Sequence, residues 1–138
     1  MDELDRRLIA LLRTDARKPA ATLAKALGVS RGTVQNRIDR LTRDGAIAGF
    51  TIKTPDAANR VRAVMTIAIE GERSQAVVRV LKGFPEVAAV HTTNGRWDLV
   101  AELEVETLAA FSHALDRIRQ IEGIAATETS ILLATQKF

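Results

Sequence analysis

Apolar residues in the first 45 positions recur at the spacing of an α-helix and predict three helices. The first, over about Asp2–Thr14, has its leucines on one side and acids in its opening turn, where the helix dipole favours them. The second, over Ala21–Leu27, ends at Gly28, the residue type that most often terminates a helix. The third covers about Arg31–Arg43, and Ser30 is suited to be its N-cap.

The second and third helices are separated by a short turn at Gly28-Val29, which is the outline of a helix-turn-helix. In that motif the second helix lies in the major groove of DNA. The residues after the third helix, Ala46–Ile52, predict a short hairpin around Ala48-Gly49 that would form a wing. Residues 1–53 are therefore predicted to be a winged helix-turn-helix domain.

The apolar pattern changes after a polar, proline-containing stretch at residues 54–60, which predicts a linker. Residues 61–138 then alternate between strand-like and helical patterns in the order βαββαβ. This order is typical of a ferredoxin-like domain, in which both helices cover one face of a single sheet. The overall fold class is α+β. The predicted elements are strands over Val61–Glu70, Val87–Thr93, Asp98–Val105 and Ile124–Thr135, and helices over Ser74–Lys82 and Thr107–Gln120.

The first of these strands carries apolar or small residues on both sides, whereas a solvated antiparallel strand has one polar side. Val64 and Ala68 fall on the side that faces away from Met65 and Ile67. Because both helices are expected on one face, the other face is expected to be buried by a second copy of the chain. A homodimer would also place two recognition helices at a spacing that suits a pseudo-palindromic DNA site.

Charge is divided unevenly along the chain and supports this arrangement. Residues 1–53 hold eleven Lys and Arg against six Asp and Glu, whereas residues 54–138 hold nine against eleven. A basic half is typical of a segment that binds a polyanion. The residues of the third helix predicted to bind DNA are those with donor side chains or with no side chain to obstruct close approach: Ser30, Arg31, Gly32, Thr33, Gln35, Asn36, Arg37 and Arg40.

Two alternatives remain open for these residues. The third helix could be an ordinary solvated amphipathic helix. Alternatively, the chain could be a small-molecule-binding or oligomerising regulatory module whose N-terminal helices bind protein instead of DNA, in which case no salt-dependent DNA affinity is expected. Arg37 could contact phosphate or could brace the fold through an acid such as Asp5 or Asp39.

Other functional classes find little support in the sequence. It contains no cysteine, which excludes disulfides and thiolate metal sites, and a reducing, cytoplasmic location is expected. The N-terminus is acidic and no apolar run reaches the ~18 residues of a membrane span. His91 and His113 have no partner nearby in sequence, and no phosphate loop or nucleophile motif occurs. No catalytic site, metal site or cofactor is predicted.

The chain resembles the Lrp/AsnC, or feast/famine, family of transcriptional regulators along nearly its whole length. LDRRLIALLRTDARKP resembles the family's first helix and turn, and LAKALGVSRGTVQNRIDRLTRDGAI resembles its helix-turn-helix. FPEV, NGRWDLV, IEGI and TETSILL resemble segments of its effector-binding domain, the RAM domain, which is similar in fold to ACT domains.

The resemblance implies a sequence-specific DNA-binding regulator that forms homodimers through its C-terminal sheets, often tetramers or octamers, and responds to an amino acid or related metabolite. It implies that the effector lies between C-terminal domains, near a glycine-containing loop and the last strand. The residues at those positions are Asn94, Gly95, Trp97, Asp98, Thr127 and Thr129. From the residues alone, Asn94-Gly95 could equally be a simple hairpin turn, with Asp98 satisfying that turn.

Overall fold

A computed structural model describes residues 1–54 and 60–137 of the chain. It divides into two compact units, Met1–Ile52 and Lys53–Phe138. The predicted linker at residues 54–60 falls largely on residues 55–59, which lie outside the described residues. Among the described residues, no helix combines the length and the apolar character needed to cross a membrane.

The first unit contains three helices: α1 over Glu3–Thr14, α2 over Ala20–Leu27 and α3 over Arg31–Arg43. Their bounds confirm the sequence prediction to within one residue. The side chain of Asp2 caps α1 by accepting a hydrogen bond from the backbone N–H of Asp5. Gly28 ends α2 in the left-handed region, at φ 69°, which a residue without a side chain adopts at little cost.

The core of this unit is formed where the apolar faces of the three helices meet. Its buried members are Leu8, Leu12, Leu23, Ala24, Leu27, Val34 and Leu41. Asp5 is also fully buried, and it is the one buried charged residue among those described. A buried carboxylate is costly unless it is paired, so its partners determine how α1 and α3 are joined.

The predicted wing is wrong, because residues 46–52 form neither a strand nor a hairpin. The two-residue turns of tight hairpins require positive φ, and Gly49 is not among the glycines that have it. Ile47 instead donates its backbone N–H to the carbonyl of Leu41, which holds this segment against the end of α3. The domain is therefore a helix-turn-helix without a wing of its own.

The second unit has the predicted order βαββαβ and an antiparallel sheet in the order β2-β3-β1-β4. This confirms the ferredoxin-like fold. Its elements are β1 over Val61–Ile69, α4 over Ser74–Lys82, β2 over Val87–Thr92, β3 over Leu99–Val105, α5 over Leu108–Arg119 and β4 over Ile124–Ile131.

The fourth strand is shorter than the prediction of Ile124–Thr135. Ile131 pairs with Ala63, and one further hydrogen bond joins Leu132 to the carbonyl of Arg62. Because β1 begins at Val61, the chain beyond this point has little of the neighbouring strand left to pair with. The length of β4 is therefore limited by its partner and not by its own residues.

The core of the second unit lies between one face of the sheet and the two helices. Alternate residues of β1 and β3 supply the sheet side, and α4 and α5 supply the other side. Its buried members are Ala63, Met65, Ile67, Val77, Leu81, Leu99, Ala101, Leu103, Val105, Phe111 and Ile118. The intervening residues of β1 and β3 form the other face of the sheet and are only partly buried.

Candidate functional site

The side of α3 that faces away from its core contacts is a row of exposed residues. Val34 and Leu41 are buried against α1 and α2, and the residues on the opposite side follow helical spacing. That row consists of Gly32, Asn36, Asp39 and Arg43, flanked by Arg31 and Gln35, and all six are exposed. Four of these six are predicted DNA-binding residues; Asp39 and Arg43 are not.

The N-terminus of α3 has the predicted cap. Ser30 Oγ accepts a hydrogen bond of 3.1 Å from the backbone N–H of Thr33, and the two hydroxyl groups lie 3.0 Å apart. Gly32 has only the Ser30 hydroxyl within 4 Å of where a Cβ would be, so the backbone is open on that side. A second molecule can therefore approach the first turn of α3 closely.

Arg37 and Arg40 are held inside the domain by acids of α1. Arg37 donates to Asp2 at 2.5 Å and to Asp5 at 3.1 Å, and Arg40 donates to Asp5 at 2.8 Å. The carboxylate of Asp5 thus receives a guanidinium on each oxygen. Arg37 was expected either to contact phosphate or to brace the fold through an acid. The structure provides partners for the second role, namely Asp5 and, in addition, Asp2. Asp5 is 32 residues away in sequence, so no local pattern identifies this pair.

These contacts affect ionisation at the end of α1. The hydrogen bond from Arg37, followed by that from the backbone of Asp5, lowers the pKa of Asp2 from its usual 3.8 to about 2. The same hydrogen bond raises the pKa of Arg37 above its ordinary value. Near neutral pH Asp2 and Arg37 are therefore both charged, and their contact holds α3 against α1.

Gln35 and Asp39 form a hydrogen-bonded pair on the exposed face. Gln35 Nε2 donates to Asp39 Oδ1 at 2.8 Å, one helical turn away. The exposed centre of α3 therefore carries an acid and two amide side chains rather than cations. Asp39 and Arg43 could have been found by extending the spacing from Gly32 and Asn36, but the prediction selected residues by donor type.

In the second unit, the predicted effector residues Asn94, Gly95, Trp97 and Asp98 lie in the loop between β2 and β3. Gly95 is not in the positive-φ region, so Asn94-Gly95 is not a tight two-residue turn. Thr93 organises the loop, because its hydroxyl donates to the carbonyl of Trp97 and accepts from the backbone N–H of Gly95 at 3.2 Å.

Asp98 connects this loop to β1. Its Oδ2 accepts a hydrogen bond of 2.7 Å from the backbone N–H of Ile69, at the end of that strand. The side chain of Asp98 therefore bonds to β1 and not to the Asn94-Gly95 turn, whose hydrogen bonds are made by Thr93. Its two oxygens can accept further donors.

Thr127 and Thr129 lie on β4, opposite Ile67 and Met65 of β1, and are half-buried. Thr129 Oγ1 is buried without a hydrogen-bond partner. Leu99, the residue after Asp98, pairs with Ile67 from the other side, so the loop and Thr127 lie at one end of the sheet, separated by β1. Two strand spacings put them about 10 Å apart.

A groove of about 240 Å³ lies in the first unit, where the ends of α1 and α2 meet α3. It is lined mainly by apolar residues, with Lys18 and Gln35 among them, and none of the predicted effector residues lines it. Across the described residues, no group of three or more acidic or histidine side chains is arranged to hold a metal ion.

The sheet face opposite the helices is mixed in character. Val64, Thr66 and Ala68 of β1 form its half-buried centre. Around them lie charged residues of the neighbouring strands, including a 2.8 Å contact between His91 Nε2 and Glu102 Oε2. This face offers apolar area at the centre with polar groups around it, which is the usual composition of a protein interface.

A helix-turn-helix with an exposed recognition-helix face, joined in one chain to a ferredoxin-like domain, defines a class of two-domain transcriptional regulators. Comparison with known sequences identifies the family within this class. The AsnC-type helix-turn-helix domain matches residues 1–42, and the Lrp/AsnC ligand binding domain matches residues 62–138. The chain belongs to the Lrp/AsnC family of transcriptional regulators.

Individual relatives are similar to the chain over more than nine-tenths of their own length. The HTH-type transcriptional regulator FL11 of Pyrococcus furiosus is 29% identical over 99% of this chain and 92% of its own. The structure of E. coli AsnC has a TM-score of 0.79 at 27% identity, covering 100% of this chain and 95% of that one. The regulator NMB0573 of Neisseria meningitidis, solved in complex with L-Met, has a TM-score of 0.80 at 20% identity, covering 100% and 93%, and is similar in fold.

Proposed function

We propose that this regulator recognises double-stranded DNA sequence-specifically through the exposed face of α3. Ser30, Arg31, Gly32, Thr33, Gln35 and Asn36 meet the groove or its phosphates, and Arg37 and Arg40 position the helix through their acid partners. The observation that carries the proposal is the exposed row on α3, opposite the side buried against α1 and α2. It lies on the motif's second helix, the one that enters the major groove in helix-turn-helix proteins.

The test is DNA binding by purified full-length chain as a function of salt. Arg31→Ala and Asn36→Ala should weaken binding to a selected site, and Arg31→Ala should also reduce the dependence of affinity on salt, since each lost phosphate contact lowers that slope by about one. Glu72→Ala, an exposed change in the second unit, is the matched control. Unchanged affinity and slope in both α3 variants would exclude α3 as the reading element and favour a protein-contact role for the N-terminal helices.

We further propose that the second unit binds an amino acid or a related metabolite, with Asn94, Gly95, Trp97, Asp98, Thr127 and Thr129 at the site. The neighbour solved with L-Met supports this ligand class, and the buried hydroxyl of Thr129 lacks a partner of its own. Because the loop and Thr127 are separated by β1, the site is completed at a contact between C-terminal domains. Calorimetry with each common amino acid should detect binding that Thr129→Val weakens; no heat with any of them would reject the ligand class.

A homodimer formed through the sheet face around Val64, Thr66 and Ala68 fits both roles, and dimers can assemble further into tetramers or octamers. Sedimentation at micromolar concentration should show a dimer or a larger species, and Thr66→Arg should shift it toward monomer by burying an unpaired charge. A monomeric wild-type protein would reject this part of the proposal. We place the protein in the cytoplasm, acting without catalysis, cofactor or membrane contact.

A further inference from the structure

The carboxylate of Asp39 lies in the middle of the α3 face that is proposed to meet DNA. Gly32, Asn36, Asp39 and Arg43 are spaced by four, three and four residues and form one exposed row along the helix. An anion in such a row opposes phosphate binding, so it needs a reason to be there. Asp39 takes part in none of the ion pairs found among the described residues.

The hydrogen bond between Gln35 and Asp39 determines which groups the pair presents outward. A carboxylate only accepts, so the 2.8 Å contact must come from the amide nitrogen of Gln35, and the orientation of that amide is fixed by chemistry. The contact uses one of the two amide hydrogens of Gln35 and holds the amide in one orientation. The second amide hydrogen, the amide oxygen and the carboxylate of Asp39 remain available to other partners.

The cations of α3 lie away from this point. Arg37 and Arg40 are bonded to Asp2 and Asp5 of α1, and Arg31 and Arg43 are at the two ends of the helix. The middle of the exposed face thus carries the carboxylate of Asp39 and the amides of Gln35 and Asn36, which can both donate and accept. In the major groove, cytosine presents an amino donor, and adenine presents an amino donor beside the N7 acceptor. Guanine presents two acceptors, and thymine presents one acceptor and a methyl group.

We propose that Asp39 is a specificity-determining residue that selects cytosine at one base pair of each half-site. The inference rests on the proposed reading of DNA by α3. The carboxylate accepts a hydrogen bond from the cytosine amino group, and it repels the acceptors of guanine and thymine and the N7 acceptor beside the adenine amino group. The contact with Gln35 holds the carboxylate in place and keeps the amide of Gln35 from turning freely toward a neighbouring base.

Removal of Asp39 should weaken the preference for cytosine and strengthen binding to non-specific DNA. Without the carboxylate, preference for cytosine at that position should fall about tenfold, within the range for loss of one good base contact. The released Gln35 amide can then make its two-bond contact, so adenine should be enriched at the base pair it faces. Affinity for non-specific DNA should rise, because one negative charge near the phosphates is gone.

The experiment is selection of binding sites from a random DNA library by full-length wild type, Asp39→Ala, Gln35→Ala and Asp116→Ala. Asp116, exposed on α5 of the second unit, gives the same change of charge away from α3. We expect Asp39→Ala to lose cytosine at one position and gain adenine nearby. Gln35→Ala should keep the cytosine, because the carboxylate is still present, and Asp116→Ala should keep the whole wild-type motif.

The outcomes separate this inference from the proposed function. If wild type selects a motif and Asp39→Ala selects the same motif, then α3 reads DNA but Asp39 does not determine specificity, and the inference is rejected. If wild type selects no motif and its binding is independent of salt, the proposed function itself fails. Asp39 is exposed, so its variant is expected to fold, and an unchanged circular dichroism spectrum and melting temperature verify this.

Discussion

The cores of the two units are stabilised by different interactions. The first is small and entirely helical, and it buries a carboxylate that holds two arginines of α3 against α1. The second packs two helices on a sheet, and its buried core residues are apolar. The difference indicates that α3 is held by a buried ion-pair cluster in addition to its apolar packing, whereas the sheet domain depends on apolar packing.

The largest expected effect is in the apolar core of the second unit. Ile67→Ala removes a fully buried side chain from the central strand β1, and should lower the free energy of unfolding by about 4 kcal/mol. The loss should be insensitive to salt, because no charge is involved. Urea unfolding at low and high salt measures both quantities, with Val80→Ala, 47% exposed on α4, as the control of small effect. A loss of unfolding free energy that varied strongly with salt would contradict the inference that apolar packing stabilises the second unit.

The corresponding change in the first unit is Asp5→Asn. It leaves Arg37 and Arg40 without their shared carboxylate, and should cost about 3 kcal/mol, the low end for breaking a buried ion pair, since the Arg40 side chain is 43% exposed. Glu3→Gln removes an exposed charge from the same turn of α1 and should cost less than about 0.5 kcal/mol. Residue-resolved hydrogen exchange should locate the loss in residues 1–52. An equal loss of exchange protection in both units would contradict the inference that the two cores are stabilised separately.

Local signals explain most of what could be predicted from sequence. The bounds of α3 follow from helical spacing and the Ser30 cap, both of which lie within one segment. The order βαββαβ follows in the same way, and it implies the sheet order because few topologies satisfy it. These features need no knowledge of distant contacts.

The features that could not be predicted depend on residues far apart in sequence. The partners of Arg37 could not be chosen among nearby and distant acids until α1 and α3 were packed together. The prediction of a wing is wrong because the alternation of apolar and polar residues in Ala46–Ile52 specifies a strand only if another strand is available to pair with it. The pairing of Gln35 with Asp39 is local, and it was missed because the residues were chosen by type and not by position on the helix.

A pair of glycines compares packing around the backbone in the two units. Gly123 has φ 103°, and a Cβ there would lie 3.0 Å from Arg73 Cβ and 3.2 Å from Val77 Cγ2. Gly28 has φ 69° and open space around it. Gly28→Ala should cost about 1 kcal/mol for backbone strain. Gly123→Ala should cost at least about 1 kcal/mol more, because φ 103° lies beyond the left-handed region open to alanine and because of the close contacts. Urea unfolding checks the order, and equal costs would contradict tighter packing at Gly123.

The smallest expected effect is on the ionisation of Asp2. This carboxylate belongs to the ion-pair cluster that joins α1 to α3. Its pKa is lowered to about 2, mainly by the hydrogen bond from Arg37, so the carboxylate stabilises the folded state fully above about pH 4. That contribution is lost as the pH falls from the usual value of 3.8 toward 2, because the unfolded chain then binds the proton first. Arg37→Ala should return the pKa of Asp2 toward 3.8, as measured by NMR titration of its carboxyl carbon. If Asp2 kept its low pKa without Arg37, then the backbone contacts at the helix end would be the cause of that low pKa. In that case Asp5 alone would provide the electrostatic contact between α1 and α3.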